Sequence, residues 1–304
     1  METATVNLSS EPPSPVAVSS SVPPPTATTG SSRTPGSCPT CTGGMAAAPP
    51  SYVYAIGRIE ARFPSLGVEK EFFQVRGRTD TKGMTDQQSI HAVATKREHR
   101  YLVRQLCWVL TIQGLDTYLL MPRDPADIDI LLDAIRPIPE PSDLDVVIGL
   151  RGPIASPEMC NGLMVPIVAF SQIYSFNREA LITALPKPDK ATAAQFAATA
   201  KHLFDRVIQL ADNAGATDEH RALNYLVMRY ETIYARAVDQ HAGNCSLTSV
   251  DVQPSRMSGT RKILDVIFSY TNRNNDFTEK AFVRVDVTEE FPFLVTRLAE
   301  YYDR

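Results

Sequence analysis

No run of about 18 consecutive apolar residues, the length that spans a bilayer as a helix, occurs in this chain. Residues 1–30 lack both a basic start and an apolar centre, so no secretory signal is expected and the compartment reads as cytoplasmic. Neither sign of charge is in excess. Thirty basic residues face 34 acidic ones, a net charge of −4, which leaves no surplus to coat a phosphate backbone or an anionic lipid surface. Nucleic acid and membranes are therefore not expected as partners. Catalytic signposts are missing too: the sequence holds no phosphate-cradling glycine loop, no Gly-x-Ser-x-Gly elbow and no His-Glu-x-x-His. Cysteine is scarce, with five residues at Cys38, Cys41, Cys107, Cys160 and Cys245. An odd, modest number fits reduced thiols or one metal site better than a disulfide framework.

What is present divides in two. Residues 1–50 are rich in Pro, Ser, Thr, Ala and Gly, carry only Glu2, Glu11 and Arg33 as charges, and contain no aromatic residue. Such a segment cannot offset its ordering entropy by burial and reads as a disordered tail. Residues 51–304 read as one α+β domain, since 43% of the chain is hydrophobic and that suffices for a substantial core.

Within that domain, Tyr52–Ile56 and Cys107–Gln113 have the β-branched and aromatic composition of strands, and Gln113-Gly-Leu-Asp116 closes a hairpin onto residues 117–121. Residues 67–75 and 97–106 read as helices. Asp124-Pro-Ala-Asp127 starts another, because an acidic cap and a proline in the first turn suit the free amides there. Leu144–Ile148 and Leu163–Phe170 read as strands, with Pro166 confining the second to an edge or a bulge, as it has no amide hydrogen to donate.

Phe196, Ala200, Leu203, Phe204, Val207, Ile208 and Ala211 recur at three and four residues, marking an amphipathic helix. A second starts at Thr217, so residues 191–242 are expected as a long helical hairpin. Strands follow at 248–252, 263–270 and 281–287, where Val283, Val285 and Val287 alternate with Phe282, Arg284 and Asp286, the pattern of a mixed or antiparallel sheet with one wet face. Residues 271–280 read as a polar hairpin loop.

Cys38-Pro-Thr-Cys41 is the strongest chemical candidate, because two thiolates two residues apart can grip one tetrahedral Zn²⁺. Two ligands hold zinc poorly, and Cys160 or Cys107 is the candidate for completing the set. Redox chemistry would instead need the pair at a helix start, and two exposed linker thiols are the plain alternative. Cys107 before Trp108 reads as a small buried hydrophobe. His241 and Cys245 invite a Cys–His pairing, but they sit at a helix end without an orienting acid, and an imidazole near the last carbonyls accounts for them better. Asp218, Glu219 and His220 read as capping groups, since neighbouring helical side chains diverge by about 100°. His91, Arg97, Glu98, His99 and Arg100 read as a solvated face.

A set of framework motifs carries a resemblance. Asp218-Glu-His-Arg-Ala-Leu-Asn-Tyr225, Val250-Asp-Val-Gln-Pro-Ser-Arg256, Leu264-Asp-Val-Ile-Phe268, Lys280-Ala-Phe-Val-Arg-Val-Asp286 and Phe291-Pro-Phe-Leu-Val295 are similar to the C-terminal domain of PatG-type cyanobactin maturation proteases. Tyr52-Val-Tyr-Ala-Ile-Gly57 and Leu163-Met-Val-Pro-Ile-Val168 resemble its earlier strands, so the likeness spans about Tyr52 to Val295. In that family a subtilisin-like domain cleaves and macrocyclises ribosomally made peptides, and the C-terminal domain has no assigned reaction. The resemblance brings no Ser-His-Asp constellation to these residues. Cyanobactin members often carry a cysteine pair before the first strand, as Cys38 and Cys41 do, and cysteines in the loop matching Ser255–Lys262, where this chain has none.

The resemblance implies a non-catalytic accessory module of a modified-peptide pathway. Its expected partner is a precursor peptide or a processing enzyme, engaged at the sheet edge near Pro166 or along the helical hairpin. A peptide-modifying or zinc-dependent protein using Cys38, Cys41 and Cys160 is the alternative, and a homodimeric scaffold a third.

Overall fold

A computed structural model describes residues 50–78, 83–187, 192–209 and 212–302. The expected tail at 1–50 and its Cys-x-x-Cys thus lie outside the described residues, apart from Pro50. The first strand, β1 (Tyr52–Arg62), is followed by helices α1 (Leu66–Arg78), α2 (Asp86–Ala94) and α3 (Arg100–Val103). Strands β2 (Cys107–Ile112) and β3 (Leu115–Pro122) form the expected hairpin. Ile112 pairs with Leu115 across Gln113 (φ 52°) and Gly114 (φ 80°), and two successive positive φ values are what a tight turn between right-twisted strands requires. Asp124 caps the next helical segment by accepting from the Ala126 amide, and α4 (Ile128–Ala134) ends before Pro137. Strands β4 (Asp143–Ile154) and β5 (Pro166–Asn177) are far longer than their apolar cores suggested.

These five strands close into a barrel in the order β1-β2-β3-β5-β4, antiparallel throughout except where β3 runs parallel to β5. With α4 between β3 and β4, that order is the arrangement of an OB barrel. Alternate residues Val53, Ala55 and Ile59 of β1 and Trp108, Leu110 and Ile112 of β2 point inward, against Val147, Val168 and Phe170. Of the edge or the bulge expected at Pro166, the structure has the bulge and not the edge. Pro166 is the first residue of β5 and pairs with Ile154 beside a register shift in β4, so the strand it begins is flanked on both sides and offers no sheet edge.

After α5 (Arg178–Ala184) come α6 (Ala193–Ile208), α7 (Asp218–Arg229) and α8 (Thr232–Ala242). The expected second arm of the hairpin is thus two helices. The backbone leaves helical geometry at Tyr230 (φ −124°, ψ 86°), where the Tyr230 hydroxyl accepts from the Leu298 amide at 2.9 Å. Strands β6 (Cys245–Pro254), β7 (Ile263–Asn272), β8 (Thr278–Asp286) and β9 (Phe293–Glu300) make a four-stranded antiparallel sheet in sequence order. The predicted alternation on β8 holds, with Val283, Val285 and Val287 fully buried against α6, α7 and α8. Pairing of Thr271 with Thr278 shortens the expected loop to residues 273–277, and β9, α2 and α5 have no counterpart in the periodicity. Among the described residues no helix is long and apolar enough to cross a membrane.

Helix α7 ties barrel to sheet. Its Thr217 cap accepts from the His220 amide, and Gly215 just before it (φ 70°) lies so close to β1 that a Cβ there would fall 2.2 Å from the Tyr54 carbonyl oxygen. Asn224, 1% exposed, donates to that same carbonyl at 2.8 Å and pairs with the Asn213 side chain. One turn earlier Arg221, 2% exposed, donates to the carbonyls of Val287 (2.8 Å), Glu289 and Glu290, pairs with Asp218 (3.2 Å) and lies over the Tyr52 ring. Replacing Arg221→Ala strands three carbonyls at once and leaves Asp218 to Lys262 alone, and should lower unfolding free energy by about 3 kcal/mol. An unchanged denaturant midpoint for that variant would contradict the role.

Candidate functional site

Four residues on one face of α6, Gln195, Ala198, Thr199 and His202, follow the three- and four-residue spacing that stacks side chains along a helix. They border the apolar stripe of Phe196, Ala200 and Leu203 and look toward the C-terminal end of α8, where Ala237 and His241 are likewise four apart. Cys245 and Ser246 at the start of β6, Tyr270 near the end of β7 and Arg273 in the turn after it complete the wall. The cavity, open to solvent on one side, is about 460 Å³, within the range that small-molecule and side-chain pockets occupy.

Local chemistry holds this wall in place. Arg273 donates from Nε to the Ser246 hydroxyl at 2.6 Å and from its backbone amide to the Asn244 carbonyl at 3.0 Å, so the turn is tied to the start of β6. Asn244 takes φ 63°, one of the few conformations by which a chain can leave α8 and enter β6 without a linker. Burial pushes the Tyr270 hydroxyl far above the ordinary tyrosine range, opposed by the nearby Arg236 charge, so it stays protonated. Cys245 is a buried free thiol whose Sγ lies 3.7 Å from the Gly243 carbonyl.

The expected Cys–His pair is therefore only half assembled. His241 and Cys245 face one cavity, but no hydrogen bond joins them among the described residues, and the Cys245 thiol is directed at backbone. The wall offers a polar rim on an apolar floor. His202 and Arg273 were passed over in the sequence. The signal that could have found His202 is its place in the 195/198/199/202 spacing, whereas Arg273 joins the site only through the β7–β8 hairpin.

Beside the cavity, β6 pairs with β7 on one side and with no strand on the other among the described residues. Its outer side receives one side-chain bond, from Arg206 of α6 to the Thr248 carbonyl at 3.4 Å. On the opposite face of the sheet a shallow polar hollow of about 550 Å³ is lined by Arg256, Arg284 and Tyr301, but Arg284 is already engaged by Asp265 at 2.9 Å.

The metal-ligand candidates fare differently. Cys38 and Cys41 lie outside the described residues. Cys160 is bonded to Cys107, with the Cα atoms 6.0 Å apart and both side chains buried, so its sulfur is not a free thiolate here. Barrel closure produces this pair by bringing the β4–β5 loop over β2, an approach that 53 residues of separation conceal in the sequence. Among the described residues no group of three His, Cys, Asp or Glu side chains is placed to hold a metal ion. The capping reading of Asp218 and Glu219 fits, with Asp218 held by Arg221 and by Lys262 at 2.8 Å. No residue of the segment 97–99 is buried, and Arg100 pairs with Asp129.

His220 has a different character. Its Nδ1 is buried without a partner, and burial lowers its pKa despite the opposing charges of Glu219 and Asp212. A depressed folded pKa means that protonation disfavours the native state. Stability is then complete above the unfolded value of about 6.5 and declines as pH falls below it. Between about pH 7.5 and pH 5.5 the native protein should lose more stability than a His220→Gln variant, by denaturant titration at each pH. Parallel losses in both would show that His220 does not titrate as described.

Residues 190–301, which include every residue lining the 460 Å³ cavity, match the PatG C-terminal family. The fold matches a solved structure described as the PatG domain of unknown function, at a TM-score of 0.66 and 20% identity over 83% of this chain and 98% of that one. Comparison with curated proteins finds no match.

Proposed function

We propose, for a chain whose residues 190–301 carry the PatG C-terminal pattern and whose fold is that of a PatG domain, a non-catalytic role in a cyanobactin-like peptide pathway: it binds an extended segment of a precursor peptide. The observation that carries this is the unpaired edge of β6 running beside the 460 Å³ cavity. An added strand satisfies its backbone on such an edge, and every second side chain points to the same face, where a pocket can select one of them. Strand β6 spans Cys245–Pro254, long enough for several ladder bonds.

Two features favour a peptide over a small metabolite. The cavity opens next to the strand edge, since Cys245, Ser246 and Leu247 belong to both, so one ligand can meet backbone and pocket together. His202, His241 and Arg273 give the pocket hydrogen-bond donors around an apolar floor of Leu203 and Ala237, a combination that accepts a side chain with a polar end. Of the two docking faces expected from the sequence, the helices of residues 191–242 contribute the α6 and α8 walls of this cavity, whereas the strand beginning at Pro166 has no part in it and the β6 edge was not expected. A cytoplasmic location and a processing enzyme as second partner belong to the same proposal, supported by the pathway context alone.

Ala198 lines the cavity and is exposed, so Ala198→Trp fills the pocket without entering the core. Binding of a linear precursor peptide, followed by calorimetry, should weaken by about tenfold or more in that variant, the value of one well-filled apolar pocket. Equal affinity in both proteins would remove the cavity from the proposal, and no binding by the native chain would end it.

A further inference from the structure

In an OB barrel the ligand face is the outer side of strands 2 and 3, between the β1–β2 and β4–β5 connections. Here the β4–β5 loop folds over that side: Ala155, Cys160, Leu163 and Val165 pack on Cys107 and Val109 of β2 and Leu119 of β3. The loop's own backbone bonds, Ala155 to Val165, Met159 to Ser156 and Gly162 to Pro157, are internal to it. Its hold on β2 is therefore made by side chains and by the Cys107–Cys160 bond.

The loop does not cover the face completely. A cavity of about 470 Å³ remains, lined by Leu106, Trp108, Leu120, Pro122, Ile128 and, from the loop, Met159. It lies at one end of the barrel, where β2 begins, β3 ends and Ile128 of α4 packs, between the interior residues Trp108 and Leu120 and the outer residues Cys107 and Leu119. The apolar lining suits neither a sugar nor a nucleotide. Trp108 is 3% exposed and its indole N–H has no acceptor among the described residues, an arrangement folded proteins seldom leave standing. Arg104 and Arg123 also border the cavity and are both exposed, which sets two guanidiniums on its solvent side. Arg123 pairs with Glu290 at 2.8 Å, while Arg104 has no ion-pair partner among the described residues.

We propose that this cavity is a second binding site, for a molecule with an apolar chain that ends in a carboxylate, and that the Cys107–Cys160 bond holds its Met159 wall in place. The apolar chain lies along Leu106, Leu120 and Ile128, and the carboxylate meets Arg104. The site shares no residue with the β6 edge and does not depend on it. A free alkyl acid and the C-terminal residue of a peptide present the same chemistry.

Trp108 is the chain's only tryptophan, so its fluorescence reports on this site alone. The full chain is titrated with octanoate and octanol, and with acetyl-leucyl-leucine as free acid and as amide. One of the two acids should give a saturable change with Kd below about 1 mM, its uncharged counterpart binding about tenfold more weakly. Tighter binding of octanoate identifies a free acid as the ligand class, and tighter binding of the dipeptide acid identifies a peptide terminus. Arg104→Gln should weaken the acid by about tenfold, and Met159→Asp, at an exposed position, should abolish binding while far-UV circular dichroism stays native. Reduction by a dithiol, which gives two electrons and two protons to the cysteine sulfurs and closes its own disulfide, should weaken binding several-fold. No saturable change with either acid, or equal binding of acid and uncharged analogue, would overturn the site. Affinity unaffected by reduction would overturn the part assigned to the disulfide.

Discussion

Burying a guanidinium is costly unless its donors find acceptors, and the carbonyls that Arg221 gathers with its two terminal nitrogens organise the whole domain, while its Nε has no acceptor among the described residues. From α7 it reaches the carbonyls of Val287, Glu289 and Glu290, which holds the β8–β9 turn against the helix, while its face lies on Tyr52 at the start of the barrel. Burial draws its pKa down, and the Asp218 carboxylate opposes that shift. One turn on, Asn224 binds the Tyr54 carbonyl, so the same helix contacts β1 twice. A helix with polar groups on its buried face is thereby fixed in register against two sheets. Apolar packing alone, through Leu223, Leu226 and Val227, would specify that register less sharply.

With α7 anchored, the two halves of the domain acquire separate cores. The barrel interior is filled by β-branched and aromatic side chains around Trp108, Leu110 and Phe170, and the sheet carries its own core beneath α6, α7 and α8. Between them the outward residues Tyr54, Ile56, Val146 and Ile148 meet Tyr225 and Met228, so the β1–β4 face of the barrel is covered by α7. The β2–β3 face is covered by the β4–β5 loop. One cavity remains where the loop ends short on the barrel, and another lies between α6, the end of α8 and the start of β6.

The cavities differ in chemistry because their walls come from different kinds of element. Helical spacing on α6 places His202 and Thr199 beside Gln195, giving a donor-rich wall next to an unpaired strand. Strand alternation on β2 and β3 gives an apolar wall, since residues facing a barrel end are those that fill it. The first site lies beside a strand edge that has no partner among the described residues, and this separates a peptide edge from an apolar pocket.

Much of the framework was legible in the residues. Local rules acting over a few positions suffice for the caps at Thr217 and Asp124, the Gln113–Gly114 turn, the buried face of α6 and the alternation of Val283, Val285 and Val287, because each depends on neighbours within about one turn or one pleat. The framework motifs from Asp218 to Val295 also carried the family likeness. Barrel closure, the break at Tyr230, the bond between Cys107 and Cys160 and the gathering of His202, Tyr270 and Arg273 around one cavity were decided by tertiary structure alone. Each joins segments tens of residues apart, or depends on which side of a strand another element covers. No local periodicity encodes that: a β-strand signals which residues are apolar on each face, but its partners are chosen by the closure of the whole sheet.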